Sequence, residues 1–196
     1  MFAQARAALF ATVFFTLLLG VAYPLAVTGV AQLAFPDQAG GSLVRDAAGR
    51  VIGSRLIAQP FAEARYLHPR PSAAGADGYD ASGSSGSNLG PLNPALAARI
   101  GRTAAGLRAD GPAPIPADAV TASGSGLDPD VSPANAARQA PRIAAARGVA
   151  VGEVQRVIAA HTRQPALGIL GQPAVNVLAV NLALDARFPR AHPPPR

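Results

Sequence analysis

The residues best suited to chemistry are concentrated in one glycine- and serine-rich stretch, residues 120–133. Small hydroxyl groups, glycines and a carboxylate follow one another closely within it: Ser123, Gly124, Ser125, Gly126 and Asp128. Alternating glycines allow positive φ angles and let backbone N–H groups converge on an anion. A serine near a histidine and an acid could instead act as a nucleophile. The stretch is therefore a phosphate cradle, a hydrolase site, or a loop shaped for its own domain or for a partner.

The amino-acid composition weighs against the phosphate cradle. The sequence contains no lysine, which excludes a P-loop lysine, a Schiff-base lysine and a Ser-Lys dyad. In favour of a cradle, Ser132 opens a predicted helix whose N-terminus could face an anion. Against it, Asp128 and Asp130 would repel phosphate, and Asp128 is better suited to bonding backbone amides in an Asx turn. These residues favour a structural or partner-facing loop.

A hydrolase site is also poorly supported by the sequence. A triad would need Ser123 or Ser125 together with His161 and Asp128, but no Gly-x-Ser-x-Gly follows a predicted strand as a nucleophile elbow requires. There is no cysteine, and the three histidines are too scattered for a metal site: His68, His161 and His192. We therefore expect no catalytic residue, no metal and no disulfide.

The net charge of +6 results from 17 basic and 11 acidic residues. All 17 basic residues are arginines, and they are spread along the chain without forming a run. Nucleic-acid binding usually requires clustered basic residues, so a solvated surface is the better interpretation and no nucleic-acid partner is expected. Hydrophobic residues make up 49% of the chain, which is apolar for a purely soluble protein and suggests a membrane segment.

That segment is predicted at residues 7–35, which contain no charged residue. About 20 apolar residues suffice to span a bilayer, whereas a cleaved signal peptide usually has an apolar region of only about 7 to 15. Arg6 predicts a short cytoplasmic tail at residues 1–6 and a single-pass topology with residues 36–189 outside the cytoplasm. Pro24 is expected to kink or end the helix.

Residues 36–189 are expected to form a mixed α/β (α+β) domain. A hairpin is predicted within residues 42–59, and a flexible loop within residues 75–90. Three helices are predicted at residues 94–109, 133–147 and 151–162, the second with a kink or break at Pro141. The valine-rich residues 175–180 predict a buried strand, after which Asn181 would cap a last short helix. The Pro-rich tail, residues 190–196, is expected to be disordered.

One short pattern occurs twice, at residues 85–95 and 123–134. Both copies contain Ser-Gly-Ser-x-Leu-x-Pro and then a capping residue followed by proline, so Asn93 and Ser132 are predicted N-caps. In the first copy, the residues matching the central stretch are Ser87, Asn88 and Gly90. Each glycine-serine loop is thus expected to lead into a helix and to serve either the core or a partner.

The chain resembles one family through several motifs in a fixed order. Besides the N-terminal span, these are GSxLIxQ at 53–59, Tyr66 with RPSA at 70–73, GSNLGP at 86–91, VTASGSGLDP at 120–129, QxxR at 139–142, ARG at 146–148 and VNVL at 175–178. They cover nearly the whole chain. The family is the C subunit of the bacterial Kdp-type potassium-transporting ATPase.

The resemblance implies a non-catalytic accessory subunit in the bacterial inner membrane. Its partners would be a channel-like potassium-translocating subunit and a P-type ATPase subunit, which carry out ion translocation and ATP hydrolysis. The family is also described as a catalytic chaperone that raises the ATP affinity of the ATPase subunit. That role would make Gln139, with Arg142 one turn later, nucleotide-related and ATP a ligand. The predicted topology opposes this role, because it places Gln139 outside the cytoplasm, where ATP is scarce.

Overall fold

The structure is a computed structural model that describes residues 2–189. The chain divides into two compact units, Met1–Ser54 and Arg55–Arg196. The tail expected to be disordered, residues 190–196, lies outside the described residues.

A long apolar helix forms most of the first unit. It comprises α1 (Phe2–Leu17), a π-helical segment (Leu18–Ala22) and α2 (Tyr23–Ala34) without interruption. The part from Gln4 to Ala34 has 31 residues and a mean hydropathy of 2.0 in its most apolar window. At 1.5 Å per residue it extends for about 46 Å, more than the ~30 Å of a bilayer core. The helix is therefore long and apolar enough to cross a membrane once.

Pro24 does not end this helix, although the sequence left that outcome open. A proline inside a helix has no N–H to donate and its ring crowds the carbonyl four residues earlier, here that of Gly20. The wider π-helical turn lies over that carbonyl, at Leu18–Ala22. A single-turn π-bulge of this kind accommodates the proline while the helix continues.

A short helix and a hairpin complete the first unit: α3 (Pro36–Ala39), β1 (Leu43–Arg45) and β2 (Val51–Ser54). The strands are antiparallel, with Leu43 opposite Ser54. The Asp46 carboxylate fixes their turn by accepting hydrogen bonds from the backbone N–H groups of Ala48 and Arg50, both at 2.9 Å. The predicted hairpin is confirmed.

The second unit packs helices against a small antiparallel sheet with the strand order β3-β5-β4. Its elements are α4 (Pro94–Ala109), β3 (Asp130–Val131), α5 (Pro133–Arg147), α6 (Val151–Ala160), β4 (Thr162–Arg163), β5 (Ala174–Asn176) and α7 (Val177–Arg187). The most deeply buried large side chains come from α5, α6, β5, α7 and one loop: Ile143, Val154, Val175, Val177, Val180, Leu184 and Leu67. The mixed helix-and-sheet fold class is confirmed.

The predicted helix starts are confirmed for α4 and α5. The side chain of Asn93 accepts a hydrogen bond from the backbone of Ala95, and that of Ser132 accepts one from Asn135. Gly148, with φ +68°, ends α5 in the left-handed conformation. The helix is not broken at Pro141, because this residue and Ala137, whose carbonyl loses its partner, both face solvent.

The prediction for residues 175–180 is wrong beyond the first two residues. Strand β5 ends at Asn176, whose side chain accepts a hydrogen bond from Ala179 N and caps α7. The apolar run therefore passes from a buried strand into the buried face of a helix, and periodicity over so few residues does not separate the two. Asn181, expected to be a cap, lies inside α7 and is 1% exposed.

Candidate functional site

The two copies of the Ser-Gly-Ser pattern lie against each other. Ser85 N donates to Ser125 O at 2.9 Å, and the Ser84 hydroxyl donates to the same carbonyl at 3.0 Å. Gly86 is packed so closely that an added Cβ would lie 3.0 Å from Gly124 O. We call this paired structure, residues 70–86 with residues 121–128, the clasp. The sequence had shown the repeated pattern but not that its copies are in contact.

Gly126 sits where the two halves of the clasp approach most closely. Its φ of +67° is a conformation that other residues rarely adopt. A Cβ at this position would lie 2.5 Å from Ser85 O and 2.8 Å from Ala74 N, both of which are backbone atoms. Glycine is required here because other residues rarely adopt this φ and because a Cβ would collide with the backbone of the opposite loop.

Polar side chains hold the rest of the clasp. Arg70 and Asp128 form an ion pair at 2.7 Å, and the Ser72 hydroxyl donates to Gly126 O at 2.7 Å. Asp128 also accepts from Asp130 N at 3.1 Å, which confirms the predicted Asx turn. The loop expected to be flexible, residues 75–90, is tied down partly by Tyr79, whose hydroxyl donates to Arg70 O at 2.9 Å.

The predicted site residues differ in their place relative to the clasp. Ser123 and Ser125 lie within it, with their hydroxyl oxygens 3.3 Å apart, and Ser125 Oγ accepts from Leu127 N. Asn88 is exposed, with φ +52°. Gly90 accepts from the N–H of Asn93, next to α4. Ser87, Asn88 and Gly90 thus lie beyond the paired part of the clasp, on the way to α4.

The N-terminus of α5 already holds a carboxylate from the protein itself. Asp118 accepts from Ser132 N at 2.8 Å, from the Ser132 hydroxyl at 2.9 Å and from Asn135 Nδ2 at 3.1 Å. A carboxylate at a helix N-terminus satisfies free N–H groups and interacts favourably with the helix dipole. An incoming phosphate at this end of α5 would have to compete with Asp118.

Two side-chain amides grip the backbone of neighbouring residues in the loop before the clasp. Asn181 accepts from Leu67 N at 2.7 Å and donates to Leu67 O at 2.9 Å. Gln139 accepts from His68 N at 2.9 Å and donates to His68 O at 3.1 Å. We call this arrangement the amide clamp. It joins α7 and α5 to the same segment, which leads directly into Arg70 of the clasp.

Gln139 has little hydrogen-bonding capacity left beyond the clamp. Its second N–H donates to Asn135 Oδ1 at 3.0 Å, and its oxygen also accepts from Arg142 Nη2 at 2.7 Å. A glutamine side chain has two N–H donors and two carbonyl lone pairs. Both N–H groups have partners and the oxygen has two donors, so the geometry gives Gln139 a structural role.

A cleft with a volume of ≈ 550 Å³ lies beside the amide clamp. Its charged lining groups are Asp110, Arg138 and Arg142, with His68 next to them. Burial, and then the nearby charge of Arg142, lowers the pKa of His68, while the Glu63 carbonyl and Asp110 oppose this shift. Burial also lowers the pKa of Arg142. Arg142 itself donates to Ala64 O and to Gln139, and Arg138 donates to Leu107 O.

Arg147 is a structural residue whose importance the sequence did not reveal. Its side chain is 1% exposed and donates to the carbonyls of Arg65, Leu184 and Phe188 and to the Asp185 carboxylate. It therefore binds two carbonyls at the end of α7, those of Leu184 and Phe188, rather than merely complementing the dipole of its own helix.

Among the residues that the structure describes, no side chains form a metal site or the catalytic triad considered from the sequence. Within residues 2–189, no group of three or more His, Asp or Glu side chains is arranged to hold a metal ion. His161 Nδ1 lies 2.9 Å from Val157 O at the end of α6, whereas Ser123 and Ser125 contact each other within the clasp. His192 lies outside the described residues.

Comparison with known proteins gives one consistent result. Residues 5–186 match the family KdpC, described as "K+-transporting ATPase, c chain". A "Potassium-transporting ATPase KdpC subunit" of Caulobacter vibrioides (strain NA1000 / CB15N) is 65% identical over 190 residues, 96% of both chains. A protein of the same name in Geobacter sulfurreducens is 51% identical over 95% of this chain and 99% of its own. One in Mycobacterium tuberculosis (strain ATCC 25177 / H37Ra) is 55% identical over 87% and 92%.

Proposed function

This chain belongs to the KdpC family, the c chain of K+-transporting ATPases, and we propose that within that complex it is a non-catalytic accessory subunit. It would stabilise the assembly and couple the chain that translocates potassium to the chain that hydrolyses ATP. The single observation that carries this proposal is that the residues resembling a reactive site bind each other in the clasp. A domain whose loops are fixed by contacts with each other can present a constant shape to a partner.

We propose a bacterial inner-membrane location with a short cytoplasmic N-terminus. The supporting features are the helix over Gln4–Ala34 and Arg6 near its beginning. The domain from residue 55 would then lie outside the cytoplasm. Its partners would be a channel-like potassium-translocating subunit, a P-type ATPase subunit and the bilayer around the helix.

Deletion of this chain tests the accessory role. The other chains of the ATPase would be expressed with and without it, and two quantities measured: recovery of the complex by affinity purification and growth at micromolar potassium. Loss of both on deletion, with rescue by the wild-type chain, is the expected result. A complex that assembles and supports growth without this chain would rule out the proposal.

A second candidate function, binding of ATP to assist the ATPase chain, is supported by the cleft beside the amide clamp. The cleft contains two guanidinium groups, from Arg138 and Arg142, which are suited to binding phosphate. The saturated hydrogen bonds of Gln139 oppose a direct role for that residue, and Asp110 adds a negative charge at the cleft.

Photo-crosslinking of a labelled ATP analogue to the whole complex separates the two candidates. The accessory role predicts label on the ATPase chain alone, in equal amounts with wild type and with Arg142→Gln. Label on this chain that Arg142→Gln abolishes would favour nucleotide binding. Replacement of Gln139 is less informative, because it would also disturb the amide clamp.

A further inference from the structure

We propose that the loop between β4 and β5, residues 164–173, is an apolar anchor that inserts into a socket on another protein chain of the ATPase. The proposal rests on the proposed function, since it names the surface by which the accessory subunit docks. It concerns a region outside the clasp, the amide clamp and the cleft. We call residues 166–170, which form the tip of this loop, the apolar tip.

Three large aliphatic side chains within five residues of the apolar tip are exposed to solvent. Leu167 is 87% exposed, Ile169 81% and Leu170 59%. Leu92, another strongly exposed aliphatic residue of the second unit at 96%, has no exposed large aliphatic neighbour in the sequence. Single exposed apolar residues are normal on a protein surface, whereas a cluster commonly marks a contact site.

The apolar tip has a defined shape that its own backbone maintains. Ala166 N donates to Leu170 O and Leu170 N donates to Ala166 O, both at 2.9 Å. Gly168 N donates to Pro165 O at 3.0 Å. A loop that is already ordered loses less conformational entropy on binding, so it can contribute more of its contact energy to affinity.

Leu167 is held in a conformation that leucine disfavours. Its φ is +55°, in the left-handed region where Cβ crowds the backbone. It thus combines backbone strain with an exposed apolar side chain, which no residue between 55 and 189 covers. Strained residues persist where the surrounding structure imposes the conformation, and they are concentrated at functional sites. The geometry directs Leu167 outward for an external contact.

The chemistry of the loop favours a protein socket over a lipid surface. Residues 164–173 contain no charged, tryptophan or tyrosine residue. Segments that bind membrane surfaces typically combine Lys or Arg with interfacial aromatic residues. The adjacent Arg163 is already paired with Asp130 at 2.7 Å. An uncharged aliphatic pocket on a protein is the complementary surface, and a subunit of a multichain ATPase has such partners available.

The small size of the apolar tip is compatible with specific docking because the domain is tethered. A stable interface between free proteins usually buries about 800 Å² on each partner, more than three side chains provide. The membrane helix confines this domain next to its complex, and tethering of this kind raises the effective concentration to the millimolar range. A short anchor then suffices to fix the position of the domain.

A photo-crosslinking amino acid at Ile169 of the full chain, co-expressed with the other ATPase chains, tests the proposal. The expected result is a crosslink to another chain of the same ATPase, identified by mass spectrometry, with a much weaker signal when the crosslinker replaces exposed Leu92. A crosslink to lipid alone, to a second copy of this chain alone, or to nothing would overturn the proposal.

Substitution of the apolar tip gives a second readout. Leu167→Gly with Ile169→Ser removes two side chains, and glycine accepts the positive φ, so the loop keeps its shape. At least tenfold less complex should be recovered than with Leu92→Ser, at an unchanged Tm of the isolated chain. Equal recovery would overturn the loop proposal while leaving the accessory role intact. If even the wild-type chain recovers no ATPase chain, the proposed function itself fails.

Discussion

The clasp and the apolar tip are both loops, yet they use their residues in opposite ways. In the clasp, serine hydroxyls, glycines and the Arg70–Asp128 ion pair bind partners within the domain. In the apolar tip, Leu167 and Ile169 point their side chains into solvent. The residues that look reactive in the sequence therefore maintain shape, and those that look unremarkable are available for a partner. Substitutions in the clasp should act on stability, and those in the tip on assembly.

Gly126→Ala should have the largest effect on stability. The new methyl group would meet the backbone of Ser85 and Ala74 and would have to adopt a positive φ. Left-handed strain of about 1–2 kcal/mol and overpacking of about 1–3 kcal/mol together predict a loss of about 2–5 kcal/mol. Denaturation of the full chain in detergent, followed by circular dichroism, measures it. Gly124→Ala, with no atom within 4 Å of the new Cβ, is the control and should change little.

Asn181→Leu should destabilise the domain by about 3 kcal/mol. It would leave the N–H and C=O of Leu67, a residue that is 0% exposed, without partners, and unsatisfied buried groups cost about 1–3 kcal/mol each. The same denaturation experiment tests it. Asn93→Ala removes an exposed helix cap and should cost only about 1 kcal/mol; an equal loss for both variants would contradict the importance of the amide clamp.

Arg70→Ala and Asp128→Ala should each cost about 1–2 kcal/mol, because the ion pair is partly exposed, with side-chain exposures of 23% and 30%. A double-mutant cycle should give a coupling energy of about 1 kcal/mol between them. Coupling near zero would show that the clasp is held without this ion pair. Neither variant should prevent assembly of the complex at temperatures where the domain remains folded.

Protonation of His68 should have the smallest effect on stability, and it should lower the free energy of unfolding. The folded protein lowers the pKa of His68 below its usual value of 6.5, so the unfolded chain takes up a proton more readily. The contribution of neutral His68 to the free energy of unfolding is therefore complete above pH 6.5. It declines as the pH falls from 6.5 through the lowered pKa of His68 in the folded protein. Unfolding free energies of wild type and His68→Gln, measured between pH 8 and 5, should therefore converge as the pH falls. If the difference in unfolding free energy between wild type and His68→Gln instead grew at low pH, the pKa of His68 would not be lowered in the folded protein.

The sequence predicted those parts of the fold that depend on local signals. The bounds of α4 follow from Asn93-Pro94 at one end and Asp110-Gly111 at the other, and those of α5 from Ser132-Pro133 and Gly148. The boundary between β5 and α7 was misplaced, because the capping asparagine is Asn176 within an apolar run that also suits a strand. Local patterns specify caps and turns, but they do not decide between a short buried strand and a buried helix.

The candidate site could be predicted only in part. The Asx turn at Asp128 is a local feature and was confirmed. The contact between the two Ser-Gly-Ser copies and the grip of Asn181 on Leu67, 114 residues apart, depend on the tertiary fold. The apolar tip had a sequence signal that was missed. Two leucines and an isoleucine lie between Pro165 and Pro173, in a loop segment that contains no charged residue.

The difference between the clasp and the apolar tip is tested most directly by hydrogen exchange. The exchange of the full chain would be compared between its isolated form in detergent and the assembled ATPase. Peptides covering residues 164–173 should exchange more slowly in the complex, because the apolar tip becomes covered. Peptides covering residues 121–128 should exchange equally in both states, because their hydrogen bonds already exist in the isolated domain. Slower exchange confined to residues 121–128, with residues 164–173 unaffected, would contradict the account by making the clasp the contact surface.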